Sequence, residues 1–244
     1  MKKHKQVTEE PPYFFEPDLL LTQRLGEEEA NHAFRVLRLK AGDEVYITDG
    51  RGHLYSATLV GSSVKEPALE GVQLINELQL SRPRLELAIA PTKNIERIEL
   101  ALEKLTEVGL ERLSLVITDR TIRRKVNMER MERVMVSAMK QSEKLSTVEL
   151  RLYGSMKEYL QSDIYEGRFI GYCGAQMEKR YITELFRKGL DTSFLIGPEG
   201  DFTPEEVALA MAKGFQPVAL GDERLRTETA GIYAGMVHHI LNSK

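Results

Sequence analysis

The sequence is nearly free of cysteine. One residue of 244, Cys173, carries a thiol, and a lone thiol excludes an intrachain disulfide framework and every multi-cysteine zinc or iron–sulfur arrangement. Long apolar runs are missing as well. Stretches such as LELAIAP (residues 85–91) fall far below the roughly 18 residues a membrane helix needs. The basic start MKKHKQVTEEPP leads into no apolar stretch, so neither signal peptide nor anchor is expected and the expected location is cytoplasmic. Nor does one sign of charge dominate. Thirty-four Lys+Arg stand against 37 Asp+Glu, a formal −3, so any affinity for nucleic acid has to come from local clusters.

Several catalytic signatures are absent too. Without GxGxxG after a strand or GxxxxGK[ST], the NAD-type and P-loop readings lose their best support, and a nucleotide-dependent oxidoreductase rests on the α/β pattern alone. The five histidines (His4, His32, His53, His238, His239) form no HExxH, and the adjacent pair points to different sides of a helix, so no metal is expected. GxSxG is missing, and Cys173 within an apolar strand reads as packing rather than as a nucleophile.

What is present has the makings of two domains. In the first 80 residues, Ala30, Ala33, Phe34 and Leu37 recur at helical spacing and predict a helix of about three turns. Val45 and Ile47, then Tyr55, Ala57 and Leu59, alternate with polar residues across a DGRG turn (49–52) and predict a hairpin; a further alternating strand is expected over 72–80. The SRP tripeptide at 81–83 marks the junction, giving domains 1–80 and 84–244. Beyond it, apolar strands at 85–91, 113–118, 168–173, 193–197 and 217–220 are followed in turn by amphipathic segments. The helices expected are 94–108, ended by Gly109, then 128–141, 203–213 and 227–241. Strands without alternation, each followed by a helix, imply a parallel sheet covered on both faces: an α/β domain.

In such a sheet, ligands collect where strands end and loops begin. Two of those loops are unusual. LIGPEGDFTPEE runs from a strand through Gly197, Pro198, Glu199 and Gly200 to Thr203-Pro204-Glu205-Glu206, which combines a capping box with proline at the first helical position. VALGDERLRTETAG packs charged and hydroxyl groups around Leu225 and then turns to the small residues Ala230, Gly231, Ala234 and Gly235, suited to close helix packing. A third feature is basic. Residues 120–144 hold eight basic and three acidic side chains, with Arg123, Arg124 and Lys125 clustered in a loop, whereas 197–206 holds four acids and no base. The first neighbourhood suits polyphosphate and the second a cationic small ligand.

The segments HAFRVLRLKAGDEVYITDGRGHLYSATL, PTKNIERIELALEKLTEVGLERLSLVITDRT, LIGPEGDFTPEE and LGDERLRTETA, in that order over nearly the whole chain, resemble the 16S ribosomal RNA uracil-N3 methyltransferase family. The resemblance implies a SPOUT-type α/β domain with a C-terminal trefoil knot, preceded by a PUA-like β-barrel. It implies S-adenosylmethionine (SAM) held by Leu195, Ile196, Gly197, Pro198, Glu199 and Gly200, by Leu220 and Gly221, and by Leu225, Arg226, Thr227, Thr229 and Ala230. It also matches Lys93, Lys104, Glu107 and Arg120 to family positions. The chain departs from the family at Asp201, where a glycine is usual, at Lys144, where an arginine is usual, and at Glu149, where a proline is common. A residue other than glycine at 201 must take up a less permissive backbone.

On this resemblance the partner is 16S RNA in the small ribosomal subunit or its late assembly intermediate. Contacts are expected from Arg35, Arg38 and Lys40 in the first domain and from Lys93, Arg120, Arg123, Arg124, Lys125 and Lys144 beyond it, and a homodimer is implied. The chemistry narrows the catalytic set. Uracil N3 becomes nucleophilic only as its proton leaves and charge spreads to the flanking oxygens, so a cation and a proton acceptor are needed. Arg226 suits the first role because its planar donors match a carbonyl–imide edge; Glu199 or Glu228 suits the second, and the sequence leaves that choice open. The alternative to an enzyme is a noncatalytic RNA-binding or ribosome-assembly factor built on the same basic loop.

Overall fold

The computed structural model describes residues 10–79, 82–172 and 180–243. His4, Ser81, Cys173 and the expected strand end at Leu80 lie outside the described residues. The chain divides into two compact units, residues 1–79 with 143–146 and residues 80–142 with 147–244.

In the first unit the elements are β1 (Tyr13–Phe15), α1 (Leu19–Thr22), α2 (Glu27–Asn31), a π-helical turn (His32–Val36), β2 (Glu44–Thr48), β3 (His53–Leu59) and β4 (Leu69–Glu77). They form a sheet of order β1-β2-β3-β4. The expected hairpin is there: Glu44 pairs with Thr58 and Thr48 with Leu54, and Val45, Ile47, Tyr55, Ala57 and Leu59 are buried. Asp49 shapes its turn, accepting the Arg51 amide at 2.8 Å through Oδ1 and facing His53 Nδ1 at 2.7 Å through Oδ2. The expected three-turn helix instead breaks into α2 and the π turn, closed by the Leu37 amide on the His32 carbonyl at 2.9 Å. The extra residue in that turn swings Leu37 off the buried face, where Ala30 and Ala33 remain. The third strand begins earlier than its alternation indicates, at Leu69, because Leu69 pairs with Leu59 and is the buried residue of β4. Parallel pairing of β1 with β2 had no sequence signal. Residues 143–146 join this unit through backbone contacts: the Leu145 carbonyl accepts from Thr48 Oγ1 at 3.0 Å and from the Gly52 amide at 2.8 Å.

The second unit contains β5 (Leu85–Ile89), α3 (Glu96–Val108), β6 (Arg112–Val116), α4 (Met128–Gln141), β7 (Glu149–Tyr153), α5 (Met156–Tyr159), β8 (Gly167–Gly171), α6 (Ile182–Leu185), β9 (Thr192–Ile196), α7 (Pro204–Ala212), β10 (Gln216–Val218) and α8 (Thr227–Asn242). Its six strands are all parallel, in the order β10-β8-β9-β5-β6-β7. Every residue of β5, β6 and β9 is buried, which explains their unalternating sequences. Side chains still alternate between two cores. Leu85, Leu87, Ile89, Phe194 and Ile196 join a cluster with Ile98, Leu102, Leu105 and Ala234, while Ala88 and Leu195 join one with Tyr159, Val207 and Phe215.

The helix ends follow the expected chemistry. Gly109 stops α3 at φ +90°, a conformation glycine adopts at little cost. Thr203 and Glu206 form the capping box of α7, with Pro204 at its first position. The short elements β7, α5 and α6 were not anticipated, since four or five residues carry too little periodicity to stand out.

Candidate functional site

The sheet order reverses around β9 and β5: β5, β6 and β7 step outward one way, and β8, β9 and β10 occupy the other side. Crevices at the carboxyl ends of such strands are the default ligand sites of open α/β sheets. A cavity of about 670 Å³ opens on one side of that reversal, at the carboxyl ends of β8, β9 and β10, within the usual range of small-molecule pockets.

Three loops make most of its wall. At the end of β8 come Gly171 and Tyr172; at the end of β9 come Ile196, Gly197, Pro198, Glu199 and Asp201; after β10 come Leu220 and Gly221, then residues 222–227 and Ala230. Arg97 of α3 and Arg180 complete it. The loops are held tightly. A Cβ at Gly197 would meet the Phe202 ring at 3.1 Å, so only glycine fits there without a shift. The Asp201 amide donates to the Pro198 carbonyl at 2.9 Å, closing a turn, and Asp201 sits at φ +61°. That is the less permissive backbone expected of the departure from glycine, and it is eased because Asp201 Oδ1 accepts the Phe202 amide at 2.8 Å. Tyr181 donates its hydroxyl to Asp222, a residue of the cavity lining, which raises the Tyr181 pKa and ties the 221–226 loop to the chain before α6.

The residues singled out from sequence distribute as follows. Ile196, Gly197, Pro198, Glu199, Leu220, Gly221, Leu225, Arg226, Thr227 and Ala230 line the cavity. Leu195 points into the second core cluster, Thr229 is exposed on α8, and Gly200 lies in the loop against the Arg120 side chain. Arg226 occupies the N-cap of α8, where a side-chain acceptor is the rule and arginine has none to offer. It is exposed, lines the cavity and makes no ion pair among the described residues. Glu199 stands at the exposed rim and accepts the Lys93 amide at 3.0 Å. Glu228 is only 7 % exposed and lies behind the wall; its Oε1 is 3.7 Å from Arg97 Nε, and its Oε2 has no hydrogen-bond partner among the described residues.

The basic loop borders this site. Arg120 Nη1 donates to the carbonyls of Gly200 at 2.8 Å and Phe202 at 3.1 Å, so part of its donor capacity braces the cavity loop. Arg123 Nε donates to the Lys93 carbonyl at 3.1 Å, and Arg124 Nη2 to the Asp119 carbonyl at 3.3 Å. These bonds go to neutral carbonyls and leave the charges uncancelled. Lys93 and Lys125 are exposed. Arg130 differs: its two-pronged contact with Glu99 at 2.6 and 2.8 Å ties α4 to α3. In the first unit Arg35, Arg38 and Lys40 are exposed, Arg38 at φ +59°, and the Lys144 carbonyl accepts the Tyr13 hydroxyl at 2.7 Å. Sequence reading missed Arg97, Tyr172 and Arg180, which reach the cavity from elements distant in the chain and belong to no local pattern.

Comparison with known proteins places this architecture. Residues 79–239 match the family described as RNA methyltransferase domain, and residues 25–66 the RNA methyltransferase PUA domain. A Synechocystis protein named ribosomal RNA small subunit methyltransferase E is 30% identical over 215 residues, covering 86% of this chain and 70% of the relative. A probable rRNA-methyltransferase from Porphyromonas gingivalis superposes with a TM-score of 0.87 at 39% identity, covering 95% of this chain and 98% of that one. A Legionella pneumophila protein assigned as a methyltransferase, solved with the cofactor SAM bound, has a TM-score of 0.78 at 25% identity with the same coverage, 95% and 98%. The chain belongs to the RNA methyltransferase family.

Proposed function

We propose that this protein transfers a methyl group from SAM to N3 of a uridine in 16S ribosomal RNA of the small subunit. One observation carries the reading: the cavity at the carboxyl ends of β8, β9 and β10 gathers Arg226, Glu199 and the glycine-bearing loops around one space, in a chain whose relatives are named for rRNA methylation. The residues fit SAM. Carboxylates at Glu199, Asp201 and Asp222 suit a sulfonium and an ammonium, arginines suit a carboxylate, and the open backbone at Gly221 leaves room for a purine nucleoside. When bound, SAM supplies an electrophilic methyl whose bond to sulfur breaks, with its electron pair going to sulfur, as the bond to N3 forms.

The chain's own residues would do the rest. The loops after β9 and β10 hold the reactants in line, which is the larger part of what such a transfer needs. Arg226 donates to a uracil carbonyl oxygen as charge builds there, and Glu199 or Glu228 takes the N3 proton. The basic loop with Lys93, Arg120, Arg123, Arg124 and Lys125, together with Arg35, Arg38, Lys40 and Lys144, would engage RNA phosphates, which position the target without specifying it. We further propose a homodimer, action on the small subunit or its late assembly intermediate, a cytoplasmic location, and a knotted C-terminus. The knot is supported by the likeness to the RNA methyltransferase family. Titration calorimetry with SAM tests the reading first: saturable binding at one site per chain is expected, and no binding would favour a noncatalytic RNA-binding factor.

A further inference from the structure

Loss of the N3 proton spreads negative charge over two oxygens, O2 and O4, one on each side of the nucleophile. A single guanidinium can serve only one of them well, and a carbonyl left without a donor as charge builds costs rate. Four arginines line the cavity: Arg97, Arg180, Arg224 and Arg226. Three are exposed side chains of the loops, with no ion pair among the described residues. Arg97 is different. It projects from α3, its side chain is 35% exposed, and its Nε faces Oε1 of the buried Glu228 at 3.7 Å. Glu228 belongs to the first turn of α8 and Arg226 is that helix's N-cap, so one turn of backbone presents one cation directly and restrains a second through a carboxylate.

We propose that Arg97 is the second cation of the methyl-transfer site, donating to the uracil oxygen that Arg226 does not reach, and that Glu228 is its positioning residue. This rests on the methyl-transfer reading above. Glu228 lies behind the cavity wall and is among the buried carboxylates, and its charge, 3.7 Å from Arg97 Nε, draws that guanidinium toward the first turn of α8. Glu199, on the wall itself, is then the acceptor of the N3 proton: the proton passes to a Glu199 oxygen, the N3 lone pair forms the bond to the methyl carbon, and the carbon–sulfur pair returns to sulfur. A buried carboxylate whose partner is removed is left uncompensated, so the two residues should behave as one unit.

The test uses the full chain, radiolabelled SAM and small ribosomal subunits lacking the modification, with four variants: Arg97→Ala, Arg97→Lys, Glu228→Gln and the Arg97→Ala/Glu228→Gln double. SAM affinity, single-turnover rate and the pH dependence of that rate are measured for each, and thermal melting identifies any variant that fails to fold. Arg97→Ala should keep SAM affinity within about threefold and slow methyl transfer about 10²-fold. Arg97→Lys should recover little, since a point charge lacks the planar donor pair. Glu228→Gln should slow transfer about tenfold, keep the acidic limb of the pH profile, and add nothing to Arg97→Ala in the double variant. Multiplicative losses in the double, or loss of the acidic limb in Glu228→Gln, would make Glu228 the base and overturn the proposal. So would full activity of Arg97→Ala, or a SAM affinity weakened tenfold or more, which would assign Arg97 to the cofactor's carboxylate. If the unsubstituted protein binds SAM but methylates no RNA, the parent reading falls, and that result does not depend on any variant.

Discussion

Two glycines on α8 make a graded test of how the helix that presents Arg226 is seated. Gly231 and Gly235 are both buried on the side facing β5 and α3. Replacing either by alanine removes the same conformational liability, so each gains about 1 kcal/mol from helix propensity. They differ in the space available. A Cβ at Gly231 would lie 3.0 Å from Leu87 Cδ2 and 3.2 Å from Ile89 Cδ1, contacts relieved by a few tenths of an ångström. A Cβ at Gly235 would lie 2.2 Å from Leu105 Cδ2, with Leu85 Cδ2 at 3.5 Å closing the other side. Leu105 is fully buried and cannot simply rotate away, so α8 or α3 has to move, at an overpacking cost of roughly 1–3 kcal/mol. After the propensity gain, Gly231→Ala should match the parent within about 0.5 kcal/mol, and Gly235→Ala should be less stable by about 1 kcal/mol. Urea unfolding, read from the shift in midpoint at unchanged slope, measures both. A Gly235→Ala protein as stable as the parent or more so would refute the close seating of α8 on α3.

Two further predictions follow from particular side chains. Arg226→Ala should leave SAM affinity within a few fold and reduce methyl transfer by roughly 10²-fold or more, checked by calorimetry and single-turnover kinetics; unchanged turnover removes Arg226 from the mechanism. His238, 2 % exposed and packed edge-on to Phe186, is pushed down to about 4 by burial and then by the nearby Arg82 charge, against the opposing pull of Asp191. An unfolded histidine titrates near about 6.5, so between the two values the unfolded chain binds more protons. The contribution is fully present above the unfolded value and is lost as pH falls toward the folded one, by up to roughly 3 kcal/mol. Urea midpoints at about pH 7 and about pH 5 should diverge for the parent and converge for His238→Gln; equal divergence in both places the acid sensitivity elsewhere.

How much of this was legible in the sequence depended on distance along the chain. Thr203, Pro204 and Glu206 specify the start of α7 within four residues, and that start is where they indicate. The loops after β9 and β10 were legible as site loops because each concentrates its glycines and charges in one stretch. Arg97 was not, because its carboxylate partner is on α8 and only the packing of α3 against α8 brings them together. Residues 143–146 carry no pattern of their own, yet the Leu145 carbonyl is bound by the Gly52 amide and the Thr48 hydroxyl of the first unit, contacts that hydropathy does not encode. The π turn escaped because an apolar face at helical spacing cannot distinguish an α turn from a wider one until Leu37 is found off it. Arginine at the N-cap of α8 breaks a local rule, and such breaks concentrate where a site demands a side chain that folding would not choose.

Methyl transfer to N3 is tested by incubating the purified protein with SAM and small ribosomal subunits that lack the modification, then identifying the methylated nucleoside by mass spectrometry after digestion of the 16S RNA. One N3-methyluridine per RNA, formed roughly 10²-fold more slowly by the Arg226→Ala protein, is the predicted result. Methylation of any other base or atom, or none despite SAM binding, would contradict it.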